Sequence, residues 1–190
     1  GLYNASSFVS REEFRVFVRP VLERYPGIQA LEWIPRVPAA ERTKYETRAQ
    51  NDGFPDFHFT ERKKSGEMVS ASYQDEYFPV YYVEPYEGNE AALGFNLASS
   101  PTRLATLFES RKTGQILATA RITLVQEKGE QSGFLIFAPV YKKNPDPSDE
   151  RRSNLQGFAL GVFRIGDIFE QAIRHDHIEN VGINFWLYDD

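Results

Sequence analysis

The spacing of apolar residues predicts a helix near the start of the chain and a strand directly after it. Ser10 and Glu13 have the spacing of a capping box, which marks a helix N-terminus. Apolar residues then recur at helical intervals: Phe14, Phe17, Val18, Val21 and Leu22. Pro20 falls inside this pattern and predicts a kink or a restart, because proline removes a backbone hydrogen bond. An amphipathic helix is therefore expected up to Gly27, followed by a strand over residues 28–37.

The rest of the chain alternates between helical and strand patterns. Helices are predicted over residues 38–51, 101–113 and 167–174, the second opened by Pro101 and ended by Gly114. A hairpin is predicted over residues 57–73, and further strands over 115–126, 133–141, 155–165 and 181–188. Tight hairpin turns join several of these strands. The pattern favours an α+β fold with a mainly antiparallel sheet over a doubly wound parallel one.

An aromatic and acidic segment lies in the middle of the chain. Residues 74–90 contain five aromatic side chains and five carboxylates. Such a mixture suits a flat, nitrogen-bearing or cationic small molecule, because aromatic faces and carboxylates attract N–H donors and cations. The same composition also fits a core strand flanked by charged turns.

Composition and charge exclude several classes of protein. The chain has 190 residues, of which 41% are hydrophobic and 14% aromatic, enough for a packed core. The net charge of -5 argues against a nucleic-acid partner, which requires a basic face. The absence of cysteine excludes disulfides, thiol catalysis and zinc–thiolate sites. The sequence as given contains no run of about 18 apolar residues and no charged-then-apolar leader, so neither a membrane span nor a signal peptide is expected within it.

Catalytic chemistry has little support in the sequence. Asp75, Glu76 and Glu84 could mimic the carboxylate pair of a glycosidase, which leaves a periplasmic hydrolase with an acidic aromatic cleft as the alternative function. His175 and His177 have a spacing that can chelate a metal, but no third ligand accompanies them, and a solvated position after a helix is favoured. No catalytic residue, metal or cofactor is expected.

Four motifs, taken in order, resemble the CHASE domain. They are Asp75-Glu76-Tyr77 followed by Pro79-Val80, then Arg111-Lys112-Thr113-Gly114, then residues 137–142 (FAPVYK), then residues 157–163 (GFALGVF). CHASE domains are extracytoplasmic sensory modules of membrane-anchored histidine kinases, diguanylate cyclases and similar receptors, including the plant cytokinin receptors. The resemblance implies a non-catalytic, ligand-binding module in the periplasmic or extracellular part of an inner-membrane protein, with a homodimer formed through a helical stalk.

The same resemblance implies an architecture of a stalk helix and two PAS-like lobes. Residues 1–27 would then be the remnant of the stalk, residues 28–150 the membrane-distal lobe that binds the ligand, and residues 151–190 a truncated part of the membrane-proximal lobe.

The resemblance also points to a binding site in the distal lobe. Members that bind cytokinin recognise an adenine-type ligand through an aspartate and nearby backbone groups, which match Asp75 and residues 95–97. Tyr77, Tyr81 and Phe95 would exclude water and so strengthen that hydrogen bond. Alternate residues of a strand share a face, so two residues of strand 115–126 are expected in the same cavity. The predicted ligand-binding set is Asp75, Tyr77, Tyr81, Phe95, Leu97, Thr119 and Arg121. A turn role for Asp75 and a surface ion pair for Arg121 remain alternatives.

Overall fold

The computed structural model describes residues 9–125, 132–142 and 154–168. Three α-helices lie wholly within these ranges: α1 (Arg11–Arg24), α2 (Arg42–Asn51) and α3 (Pro101–Thr113). Residues 165–168 are also helical, but most of the predicted helix 167–174 lies outside the described residues, as do the predicted strand 181–188 and the pair His175 and His177.

Local signals set the ends of the helices. The capping box of α1 forms as predicted, with the Glu13 backbone N–H donating to the Ser10 hydroxyl and the Ser10 N–H donating to the Glu13 carboxylate. The helix continues through Pro20 without a restart. Gly114 ends α3 in the left-handed conformation, with φ of 76°, which glycine adopts without steric cost.

A six-stranded antiparallel sheet forms the centre of the molecule. Its strands are β1 (Ile28–Pro35), β6 (Tyr82–Glu84), β7 (Leu117–Ala118), β8 (Ile122–Thr123), β9 (Ser132–Tyr141) and β10 (Leu155–Arg164). The spatial order is β6-β1-β10-β9-β7, and β8 also pairs with β9. Two small antiparallel pairs complete the strands: β2 (Val37–Pro38) with β5 (Glu76–Tyr77), and the hairpin of β3 (Thr60–Arg62) with β4 (Met68–Ser70). The predicted α+β class with a mainly antiparallel sheet is confirmed.

The sheet differs from the sequence prediction in two places. The single strand expected over residues 115–126 is two short strands, β7 and β8, which both pair with β9. Strand β10 lies in the range predicted as the proximal lobe, yet it pairs with β1 on one side and β9 on the other. The sheet therefore extends past the predicted boundary at residue 150. The PAS-like description and the second lobe stay predictions.

The two faces of the sheet bury two separate apolar clusters. Strand β1 shows the division, because successive side chains of a strand point to opposite faces. Ala30 and Ile34 belong to the cluster that contains Leu107 of α3. Trp33 belongs to the cluster that contains Phe14 of α1 and Ala49 of α2. Helix α3 thus covers one face of the sheet, while α1 and α2 lie over the other.

Candidate functional site

A cleft lies on the face of the sheet that α1 and α2 cover. It has a volume of about 280 Å³. Four aromatic residues form its walls: Trp33, Tyr45, Tyr81 and Tyr82. Four charged residues lie along it: Arg36, Glu41, Arg48 and Lys142. A second cavity, of about 240 Å³, adjoins it and shares Arg48, Tyr81 and Tyr82. We refer to the first cavity as the aromatic cleft.

Secondary structure brings the aromatic walls together. Trp33 of β1 and Tyr82 of β6 are cross-strand partners and so project from the same face. Tyr45 and Arg48 lie one turn apart on α2, where residues three positions apart are neighbours on the helix surface. Tyr81 packs edge-on against Tyr45, with ring centroids 5.3 Å apart. The cleft is therefore formed between two strands and one face of α2.

The buried tyrosine hydroxyls are anchored to the backbone. Tyr81 donates to the Tyr45 carbonyl at 3.1 Å, and Tyr82 donates to the Val9 carbonyl at 3.0 Å. Burial raises the pKa of Tyr81, and it raises the pKa of Tyr82 to about 12, although Arg48 opposes both shifts. Both phenols therefore stay neutral at physiological pH and keep their hydrogen-bond donors on the backbone.

One end of the aromatic cleft carries a charged cluster. Glu76 accepts hydrogen bonds from Arg36, at 2.6 Å, and from Arg111. Burial would raise the pKa of Glu76, but the hydrogen bonds from Arg36 and Arg111 outweigh burial and lower it. Glu76 is therefore ionised, and the three groups together have a net charge of one positive.

The aromatic cleft is in direct contact with the start of α1. Val9, which lines the cleft, accepts the hydrogen bond of Tyr82. The Tyr82 ring also packs against Phe14, at a centroid distance of 5.7 Å. The guanidinium of Arg11 lies 4.8 Å from the Tyr82 ring centroid and 4.0 Å from that of Phe54, and its Nε donates to Asp52. The first turn of α1 thus rests on the wall of the cleft.

The opposite face of the sheet contains a buried pair of ionisable residues. Glu32 of β1 projects toward α3 and is 3% exposed. Burial raises the pKa of Glu32 to about 8, against the opposing effect of Arg103 on α3. Burial lowers the pKa of Arg103 to about 10, and its guanidinium donates to the Thr123 carbonyl at 2.9 Å and lies over the Phe95 ring.

The structure does not bring the seven predicted ligand-binding residues into one cavity. Tyr81 lines the aromatic cleft. Tyr77 is buried on the same face of the sheet, where its hydroxyl donates to the Ser72 carbonyl. Phe95 and Leu97 belong to the cluster on the α3 face.

The three remaining members of the predicted set lie elsewhere. Thr119 accepts a hydrogen bond from the Leu135 N–H. Asp75 and Arg121 have exposed side chains, and the Asp75 carbonyl accepts from the Ala39 N–H. A ligand-binding role for the seven residues stays a prediction.

The carboxylates considered for hydrolysis do not form a pair in the aromatic cleft. Asp75 is exposed and Glu76 is held by two arginines. Burial raises the pKa of Glu84, on β6, although Arg15 and Arg11 oppose this shift. Among the described residues that line the cleft, Glu41 is the one carboxylate. Among the described residues there is also no group of three acidic, histidine or cysteine side chains arranged to hold a metal.

Sequence reasoning missed most of the aromatic cleft. Trp33, Tyr45 and Arg48 were not among the predicted site residues. Two local signals point to them. Side chains of β1 alternate between the two faces of the sheet, which places Trp33 on the face opposite to Glu32. Tyr45 and Arg48 are three residues apart on a helix with few apolar residues, so they share one of its faces. An acid within an apolar strand likewise marks Glu32. No local signal indicates that α2 packs opposite Trp33.

These features define an α+β domain with a cleft on one face of an antiparallel sheet. The CHASE domain family matches residues 7–190, so the chain belongs to this family. CHASE domains are extracytoplasmic sensory domains of receptors, and the chain is accordingly a sensory domain.

A curated relative is consistent with that assignment. Hybrid signal transduction histidine kinase A of Dictyostelium discoideum is 23% identical over 190 residues. The match covers 95% of this chain but 9% of that protein, so the chain spans a small part of its relative. Within the described ranges, no helix has the length and apolar character needed to cross a membrane.

Proposed function

We propose that this sensory domain binds a small molecule in the aromatic cleft and transmits its occupancy through α1. The observation that supports this proposal is the contact between the cleft and α1: Val9 lines the cleft and accepts the hydrogen bond of Tyr82. A ligand seated against Tyr82 would displace or fix the first turn of α1. It can shift the position of the helix only if it binds two arrangements with different affinity.

The proposed receptor is membrane-anchored and carries its enzymatic output outside this domain. The relative named above favours a histidine kinase as that output, with a diguanylate cyclase as the other candidate. The domain itself would be periplasmic or extracellular and non-catalytic. Glu41, as the one carboxylate of the described cleft lining, argues against a glycoside hydrolase acting in this cleft, because glycoside hydrolysis uses two carboxylates across the bond.

Helix α1 also supports a role in dimer formation. Its buried residues, Phe14 and Val18, pack on the sheet, while Phe17 and Val21 on the helix and Tyr25 at its C-cap remain exposed at intervals of four residues. We refer to these three as the α1 stripe. In a full-length receptor this stripe would face the same helix of a second copy. Ligand binding would then change the position of one α1 relative to the other.

The experiment begins with the native ligand, identified by mass spectrometry of molecules that co-purify with the domain. Thermal unfolding with the added ligand then measures binding, since a ligand at 100 times its Kd adds about 2.7 kcal/mol of stability. Tyr45→Ala is the informative variant. It removes an aromatic wall, yet the Tyr45 carbonyl that holds Tyr81 remains. We expect Tyr45→Ala to lose most of the ligand-induced shift.

Two further variants make the experiment decisive. Tyr73→Ala is the matched control, because Tyr73 is 79% exposed and does not line the cleft. Asp75→Ala tests the site predicted from the sequence. Loss of the shift in Asp75→Ala, with an unchanged shift in Tyr45→Ala, would place the ligand elsewhere and rule out the aromatic cleft as the sensory site.

A further inference from the structure

The charges along the aromatic cleft favour one class of ligand. Arg36, Arg48 and Lys142 contribute positive charge, and Glu41 contributes one negative charge. Glu76 offsets Arg36, but it also binds Arg111, so this cluster retains a net positive charge. The cleft and its immediate surroundings are therefore electropositive, although the whole chain has a net charge of -5.

Arg48 occupies the most favourable position for recognising an anion. It lines both the aromatic cleft and the adjoining cavity. Burial raises the pKa of Tyr45, Tyr81 and Tyr82, and the positive charge of Arg48 opposes each rise. Arg48 therefore lies within electrostatic reach of all three rings. A guanidinium has five N–H donors, so Arg48 can keep other partners and still bind a planar carboxylate.

The neighbouring tyrosines do not compete for that role. The hydroxyls of Tyr81 and Tyr82 already donate to backbone carbonyls, so they offer oxygen atoms and ring faces to a ligand rather than donors. The cationic side chains among the residues that line the cleft belong to Arg36, Arg48 and Lys142, of which Arg36 already donates to Glu76. Aromatic walls with cationic donors match a flat apolar body that ends in an acid group.

We propose that the aromatic cleft recognises an organic carboxylate, with its apolar body against the aromatic walls and its acid group on Arg48. This inference rests on the proposed function and specifies its ligand. It differs from the sequence prediction of a cationic or flat nitrogenous ligand. That prediction relied on the carboxylates of residues 74–90, and none of those five carboxylates lines the aromatic cleft or the adjoining cavity.

Three matched probes test the inference: 3-phenylpropionate, 3-phenylpropionamide and 3-phenylpropylamine. They share one apolar body and differ in the charge of the end group. The chain has two tryptophans, so Trp186→Phe leaves Trp33, in the cleft wall, as the sole tryptophan for selective excitation. Calorimetry on the unsubstituted chain provides a second measurement. We expect the carboxylate to bind about ten- to a hundredfold more tightly than the amide, as a charge-assisted hydrogen bond predicts.

Substitution of the arginine identifies the group responsible. Arg48→Met retains an apolar stem of similar length, so it should reduce carboxylate affinity to that of the amide and leave amide affinity unchanged. Arg19→Met is the control for net charge, because Arg19 is exposed on α1 and pairs with Glu23. It should leave the preference for the carboxylate intact. Higher salt should weaken binding of the carboxylate more than that of the amide.

Each outcome decides between the two proposals. Equal binding of all three probes, or a preference for the amine or the amide, would overturn the carboxylate inference and leave the aromatic cleft as a binding site. A carboxylate preference that persists in Arg48→Met would overturn the assignment to Arg48. If no probe alters Trp33 fluorescence or releases heat up to its solubility limit, both the inference and the proposed use of this cleft are contradicted.

Discussion

Glu32 shows how strongly burial can change the pKa of a single residue. It projects from β1 into the apolar α3 face, where Val83 and Leu160 are its cross-strand partners. Burial raises the pKa of Glu32 from 4.5 to about 8. The folded state therefore retains a proton that the unfolded chain releases, and the stabilisation due to Glu32 is lost as the pH rises across this window.

We predict that Glu32→Gln makes stability less dependent on pH. The amide is neutral at every pH, so the free energy of unfolding of the variant, relative to the parent, should increase between about pH 5 and pH 9. The expected gain is on the order of a few kcal/mol at the alkaline end. Urea unfolding across this range measures it, with the exposed Glu87→Gln as the control. Parallel pH profiles for parent and Glu32→Gln would mean that Glu32 is already ionised in the core.

Single residues were the hardest feature to predict from the sequence. Tyr81 belongs to an aromatic segment that is conspicuous in composition, and it lines the aromatic cleft, while its role in ligand binding stays a prediction. The residues opposite it come from α2 and β1, and no pattern within residues 74–90 specifies which of their side chains meet Tyr81. Membership of the cleft is set by packing between elements that are distant in the chain.

Among the elements, the junction between β6 and α1 is the contact on which the proposed signalling route depends. Tyr82 is 2% exposed and holds the Val9 carbonyl, one residue before the helix cap at Ser10. Tyr82→Phe preserves the ring and its packing on Phe14 but removes the donor. We predict a loss of about 1–3 kcal/mol in the free energy of unfolding, because a buried carbonyl is left unsatisfied.

Hydrogen exchange provides a second measurement of the same junction. Amides in the first turn of α1 should exchange faster in Tyr82→Phe, while those of β9 and β10 should change little. Tyr73→Phe, at an exposed tyrosine, is the control. Unchanged stability together with unchanged exchange in α1 would show that Tyr82 does not couple the cleft to the helix.

Elements set by local signals and the three long strands β1, β9 and β10 agree with the sequence prediction, whereas the division of the short strands β7 and β8 does not. The capping box of α1, the glycine end of α3 and the hairpin of β3 and β4 depend on residues a few positions apart, so the sequence around each is sufficient. Residues 115–126 form two strands because β7 and β8 pair with two separate parts of β9. That information lies elsewhere in the chain.

At the scale of the whole molecule, the proposed role of the α1 stripe in association sets the expected oligomeric state. Three exposed residues bury too little area for a stable interface on their own. We predict that this chain is monomeric or weakly dimeric at micromolar concentration, measured by sedimentation velocity. Phe17→Glu should abolish any weak dimer and leave folding intact, because Phe17 is 51% exposed. A tight dimer that tolerates Phe17→Glu would show that another surface holds the subunits together and would contradict the role of α1.

The aromatic cleft is assembled from parts of the chain that are far apart, with Val9, Arg48, Tyr81 and Gln156 all on its lining. No fragment of the domain could recognise the ligand, since each segment supplies only one side of the cleft. Binding of the ligand would therefore require that the whole domain is folded. The ligand would act as a pharmacological chaperone, rescuing destabilised variants in proportion to its concentration. In a receptor, the abundance of the folded sensor could then rise with the signal it detects.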